Sequence, residues 1–123
     1  LLPRGVSWDA QLTGDQIRYR DMHGGLTVPQ PLLPGQHQAQ NAALAIAMLR
    51  HQQELTVPDS AFSAAMGWAE WPARFQKLHP GPLIGEREVW LDGGHNASAA
   101  VALADTVRHV IARPINLIVG CLT

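Results

Sequence analysis

At 123 residues, with 46% hydrophobic and 15% charged residues, the chain is long enough for one modest folded domain or pieces of two, and it is not a disordered tail. A formal net charge of −1 leaves no electrostatic footprint for nucleic acid or an anionic membrane, and no apolar run approaches the ~18–20 residues of a membrane span. A single cysteine, Cys121, excludes an internal disulfide; with no signal-peptide pattern at Leu1-Leu2-Pro3-Arg4, the expected compartment is the reducing cytoplasm.

Trp8 to Val28 carries a hairpin signature. Gln16-Ile17-Arg18-Tyr19-Arg20 alternates polar and apolar residues, Asp21-Met22-His23-Gly24-Gly25 is a turn, and Leu26-Thr27-Val28 returns as a second strand. An earlier turn, Thr13-Gly14-Asp15, joins Gln11-Leu12 to the same meander. This is structural material, and His23 reads as a polar turn residue. Pro29 to Pro34 interrupts strand pairing, because proline donates nothing to a ladder.

A helix is expected over roughly residues 37–52, with Ala39, Ala43, Ile46 and Leu49 recurring near the 3.6-residue period. Asn41 lies one turn in, beside Gln38 and Ala45 by helical spacing, although asparagine has poor helix propensity. That amide is either a solvated side chain or a ligand-facing one. Val57-Pro58-Asp59-Ser60 marks a second helix start, with Asp59 or Ser60 as cap and Phe62, Ala65, Met66 and Ala69 as its apolar stripe. Pro72 ends the segment after Trp68 and Trp71. Arg74 follows, between Pro72 and Phe75, as either a surface ion-pair partner or a fork suited to a phosphate.

The segments from Phe75 to Leu78 and from Glu88 to Leu91 are expected to pair around a long Pro/Gly loop. Val89-Trp90-Leu91-Asp92-Gly93-Gly94-His95-Asn96 reads as a short strand that delivers an acid into a two-glycine turn opening on a helix. Asn96 is a good N-cap for a helix from Ala97, whose inner face should carry Ala100, Leu103, Ala104, Val107 and Ile111. Asp105 and His109 fall on its other face as a solvated pair. Ile115 to Val119 then reads as a buried parallel strand, completing a βαβ unit from Val89 to Gly120. The start at Leu1 and the stop just past that strand lead to the expectation of a fragment.

A glycine turn at a helix N-terminus suits an anion, so Asp92, His95 and Asn96 become candidate site residues. An ordinary βα connection is the plain alternative. The six histidines show no H-x-x-x-H, and one cysteine cannot build a zinc cage, so no metal site is expected within the chain. G-x-G-x-x-G, G-x-x-x-x-G-K-[ST] and a serine elbow are all absent from the sequence.

Three stretches taken together carry a resemblance. Leu33-Pro34-Gly35-Gln36-His37-Gln38 with Asn41-Ala42, then Trp71-Pro72-Ala73-Arg74-Phe75, then Leu91-Asp92-Gly93-Gly94-His95-Asn96 resemble the successive motifs of folylpolyglutamate synthase/dihydrofolate synthase, in the Mur-ligase-like superfamily. Val119-Gly120-Cys121-Leu122 is similar to the family's next glycine-containing strand end. The family's common proline after the asparagine is replaced here by Ala97.

The resemblance implies an α/β chain in which residues 1–71 are the end of a P-loop-type central ATPase domain. Residues 72–123 would begin a Rossmann-like C-terminal domain that closes over the nucleotide. It further implies a ligase that uses ATP and Mg²⁺ to join L-glutamate to dihydropteroate or folate through an acyl phosphate. The metal ligands and the P-loop would lie outside these residues, so the chain alone should be inactive, and a monomer is expected. By position, Asn41 matches a residue at the adenine, Arg74 one at the phosphates and Asp92 one at the ribose; His95 and Asn96 match neighbouring loop residues. Other readings remain open: another Mur-type amide ligase such as a muramyl-peptide ligase, a non-catalytic nucleotide-binding module, or a structural fragment.

Overall fold

The computed structural model describes residues 2–120. The chain divides into two compact units, Leu1–Glu70 and Trp71–Thr123.

In the first unit, strands β1 (Trp8–Thr13), β2 (Gln16–Asp21) and β3 (Gly24–Pro29) form an antiparallel meander in that order. The registers Ala10↔Tyr19 and Tyr19↔Leu26 put inward residues of the three strands opposite one another. The alternation seen in the sequence sets this face: Trp8, Ala10, Ile17, Tyr19, Leu26 and Val28 are buried. Helix α1 (Gln36–His51) covers them with Ala39, Ala43, Ile46 and Ala47, and helix α2 (Asp59–Trp68) adds Phe62 and Met66. Each fully buried Ile, Val or Phe contributes about 1.5–3 kcal/mol over its exposed state.

Helix α2 is not capped by Asp59 or Ser60 as expected. Its N-cap is Pro58, without a side-chain bond, and Asp59 is the first helical residue. An acid in the first turn still gains from the helix dipole, and here its carboxylate also accepts from Arg50 Nη1 at 3.0 Å. Ala65, expected inside, is exposed.

The second unit pairs β4 (Gln76–Lys77) antiparallel with β5 (Trp90–Leu91), and α3 (Ala97–Val110) follows. The expected hairpin is therefore present, but with two residues per strand. The returning strand at Ile115 to Val119 is not: those residues join no ladder and are exposed. A strand is stabilised by its neighbour's N–H and C=O groups, and β5, two residues long, offers few of them. A run of apolar residues supplies no such partner, so the βαβ reading is corrected to a hairpin followed by a helix. The inner face of α3 also differs from the simple period. Leu103, Val107 and Ile111 are half-buried, Ala100 and Ala104 are exposed, and Thr106 is buried. Alanine gains little from burial, while the Thr106 hydroxyl can go inside because it donates to the Ala102 carbonyl at 2.8 Å. Of the glycine-containing segment at the end of the chain, Cys121 and Leu122 lie outside the described residues.

Candidate functional site

In the second unit, the turn 73–75 and the turn 92–96 are held together by two hydrogen bonds. The Gly93 N–H donates to the Ala73 carbonyl, and the Phe75 N–H donates to Asp92 Oδ2, both at 2.8 Å. Asp92 Oδ1 accepts from the Gly94 N–H, also at 2.8 Å. One carboxylate thus shapes its own turn and pins the neighbouring one, in charge-assisted bonds that are stronger than neutral ones.

Ala73 and Phe75 both have left-handed backbones, with φ of 58° and 47°. This conformation costs an L-residue with a Cβ roughly 1–2 kcal/mol. The hydrogen bonds to Asp92 and Gly93 offset that cost, and the Phe75 ring, buried and stacked on Trp90 with centroids 4.5 Å apart, adds packing. Arg74 sits between the two strained residues with an exposed side chain and no hydrogen bond or ion pair among the described residues. Gly94 is required by space: a Cβ there would lie 2.9 Å from Asp92 Oδ1 and 3.3 Å from the Ala99 Cβ.

Asn96 caps α3 as expected, its Oδ1 accepting from the Ala99 N–H at 2.8 Å. His95 is exposed, with Nδ1 3.1 Å from the Gly93 carbonyl. The structure therefore brings Arg74, Asp92, His95 and Asn96 into one small region of one unit. Each Asp92 oxygen keeps a lone pair for a further donor. Asn41 belongs to the first unit, exposed on α1, where its Nδ2 donates to Gln38 Oε1 at 3.2 Å and leaves Oδ1 without a hydrogen bond among the described residues. No group of three or more His, Cys, Asp or Glu among the described residues is arranged to hold a metal ion.

Two clusters were not anticipated from the sequence. In the first unit, the fully buried Asp21 side chain accepts from Arg50 Nε (2.9 Å), Arg50 Nη2 (3.2 Å), the Tyr19 hydroxyl (3.0 Å) and the His23 N–H (2.8 Å). Burial opposes ionisation of Asp21, but the Arg50, His23 and Tyr19 hydrogen bonds together outweigh it and hold the carboxyl below its ordinary range. Burial, followed by the hydrogen bond to Asp21, pushes the Tyr19 phenol well up. His51 Nε2 lies 3.5 Å from Asp21 Oδ2 but is buried without hydrogen-bond geometry to any partner among the described residues. In the second unit, Glu88 accepts from Trp90 Nε1 at 2.9 Å and from Arg113 Nη2. The Trp90 bond first, then Arg113, draws the Glu88 carboxyl below its usual range. The partners of the Asp21–Arg50 contact are 29 residues apart, which no local pattern signals.

A meander under two helices, followed by a hairpin, a glycine turn and a capped helix, defines a mixed α/β protein. Comparison with known proteins narrows this. No family model matches the chain. It is 34% identical over 106 residues, 85% of its length and 23% of the relative's, to the dihydrofolate synthase/folylpolyglutamate synthase of Escherichia coli. It is 28% identical over 112 residues, 89% of its length and 25% of the relative's, to the folylpolyglutamate synthase of Lacticaseibacillus casei. A shorter match, 43% identical over 77 residues, covers 63% of the chain and 8% of a probable bifunctional folylpolyglutamate synthase/dihydropteroate synthase of Halobacterium salinarum. Among solved structures, E. coli FolC in complex with DHPP and ADP superposes with a TM-score of 0.70 at 33% identity, over 94% of this chain and 25% of that one. An FPGS–AMPPCP–folate complex gives 0.65 at 25% identity, over 91% and 28%. The chain belongs to the folylpolyglutamate synthase/dihydrofolate synthase family, and it spans no more than about a quarter of the curated relatives it matches.

Proposed function

We propose that this chain is part of an ATP-dependent ligase that joins L-glutamate to dihydropteroate or folate. The observation that carries the reading is the pairing of the Arg74 turn with the Asp92 turn through the Phe75 N–H and Gly93 N–H. It gives a guanidinium that pairs with no group among the described residues and a carboxylate with lone pairs to spare in one region, the chemistry a nucleotide's phosphates and ribose need.

In this reading Arg74 grips the phosphates, Asp92 accepts from the ribose hydroxyls, and Asn41 presents an amide to the adenine edge. His95 and Asn96 complete the loop, Asn96 chiefly as the helix cap. The substrate carboxylate oxygen attacks the γ-phosphorus and ADP departs. The glutamate amine then attacks the acyl carbon, phosphate leaves, and the amine gives up a proton. Arg74 stabilises charge on the transferring group, as a preorganised donor does. Mg²⁺ would neutralise the ATP phosphates, and its ligands and the P-loop are assigned to parts of the protein other than this chain. Residues 1–71 are assigned to the end of the P-loop ATPase domain and 72–123 to the start of a Rossmann-like C-terminal domain, in a monomeric cytoplasmic enzyme. No helix among the described residues is long and apolar enough to cross a membrane.

The test is ADP release by the full-length protein with dihydropteroate or folate. Release that requires both the pterin acid and glutamate, one ADP per amide formed, is expected. Release indifferent to glutamate, or supported only by a muramyl acid, would contradict the reading.

A further inference from the structure

The second unit has one buried large apolar side chain among its described residues, and it is the residue immediately after Arg74. Phe75 is 5% exposed. The centroid of its ring lies 4.5 Å from that of Trp90, with 20° between planes, so the two rings stack. Trp90 is itself held. Its indole N–H donates to Glu88 Oε1 at 2.9 Å, and Lys77 Nζ sits 5.7 Å from its ring centroid and 3.5 Å from Glu88 Oε2. Arg113 closes the far side of Glu88.

This support meets the backbone where it is strained. Phe75 has φ of 47° and Ala73 has φ of 58°, so Arg74 leaves the chain between two left-handed residues. A left-handed phenylalanine is unfavourable in an unrestrained loop. Its N–H is held by Asp92 and its ring by Trp90, and these two contacts fix the direction in which the Arg74 Cα–Cβ bond points. Without the ring contact, one hydrogen bond to a partly exposed carboxylate would have to hold Phe75 in this conformation.

Resting on the ligase reading above, we propose that the Phe75–Trp90 stack is a positioning element: it aims Arg74 and touches no substrate itself. The consequence is a loss in the chemical step when the stack is removed, because a displacement of about 1 Å at a preorganised group costs up to ~10²-fold.

The experiment compares Trp90→Phe, which keeps a stacking ring, with Trp90→Leu, which keeps bulk without one. Each is made in the full-length enzyme with Arg74 intact and with Arg74→Ala. Melting temperature, kcat and KM for ATP are read for all. Trp90→Leu should lower kcat by about 10- to 100-fold with little change in KM for ATP, and Trp90→Phe should restore most of it. In the Arg74→Ala background the same Trp90→Leu change should cost almost nothing, since the group being aimed is gone. An equal loss in both backgrounds, a change in KM alone, a Trp90→Phe variant as poor as Trp90→Leu, or a Trp90→Leu chain that does not fold would each overturn the proposal. The ligase reading fails separately: Arg74→Ala alone would then leave kcat intact. A slow Arg74→Ala with a normal Trp90→Leu would remove only the stack.

Discussion

Replacing Asp92 by asparagine in the full-length protein keeps the shape of the side chain and removes half of what it does. Both native oxygens accept a backbone N–H at 2.8 Å, one from Phe75 and one from Gly94. An asparagine can accept only one of these, and its NH₂ would face the other donor. Hydrogen bonds to a charged group contribute roughly 1.5–3 kcal/mol and neutral ones about 1. The turn is partly exposed, so the lower values apply: one bond of ~1.5 kcal/mol is lost and the other is weakened by ~0.5, about 2 kcal/mol in all. The left-handed backbones of Ala73 and Phe75 hold strain of roughly 1–2 kcal/mol each, so a loss of this size is enough to let the turn relax. Amide hydrogen exchange at Phe75 and Gly94 should then accelerate about 30-fold, since ~1.36 kcal/mol is tenfold. Because Arg74 rides on that turn, kcat should fall along with a rise in KM for ATP, where a pure ribose contact would raise KM alone. Exchange at both amides unchanged in Asp92→Asn, with activity nonetheless lost, would refute this reasoning and leave Asp92 as a direct ligand contact only.

Gly94→Ala should destabilise the full-length protein by about 1–3 kcal/mol, read as a lower urea midpoint, because the new methyl meets a carboxylate that two N–H groups hold in place. Asp21→Asn should cost about 3–5 kcal/mol at pH 7, as breaking one side of a buried pair does. The Asp21 carboxyl is depressed in the folded state, so its stabilisation is full above the unfolded carboxyl value of about 4 and is lost as pH falls through the folded one. Wild type and Asp21→Asn should accordingly converge in stability only below about pH 4, and a gap unchanged down to the acid transition would show that the Asp21 carboxyl is not depressed by folding. The 123-residue chain alone is expected to release no ADP with folate and glutamate, having no phosphate-binding loop in its sequence; robust turnover would overturn the assignment of its two parts.

Where the physics is local, the sequence was readable. Polar–apolar alternation with turn residues at Gly14 and Gly24 predicts the meander, and the Asn96 cap is a bond within one turn. The Phe75–Leu91 region paired because its apolar runs flank a Pro/Gly loop, though only two rungs formed. What failed depends on partners distant in the chain. The Ile115 run has the composition of a buried strand but no ladder beside it among the described residues. Asp21 looked like a turn acid until Arg50 was folded against it. At the candidate site the residue types Arg74, Asp92 and Asn96 could be named, but not the structural work of Asp92. Nor did the left-handed turn announce itself, because Ala73 and Phe75 carry no glycine signal. The residue that supports the turn, Trp90, looked like one apolar member of a strand.

Steady-state kinetics of Arg74→Ala in the full-length enzyme, at saturating pterin acid and glutamate, test the central claim most directly. An arginine that meets the transferring phosphoryl group gains strength as charge develops, so its removal should lower kcat by roughly 10²–10³. KM for ATP should change far less. A variant with kcat intact and only KM for ATP raised would make Arg74 a binding residue, and the role assigned to its turn would be wrong.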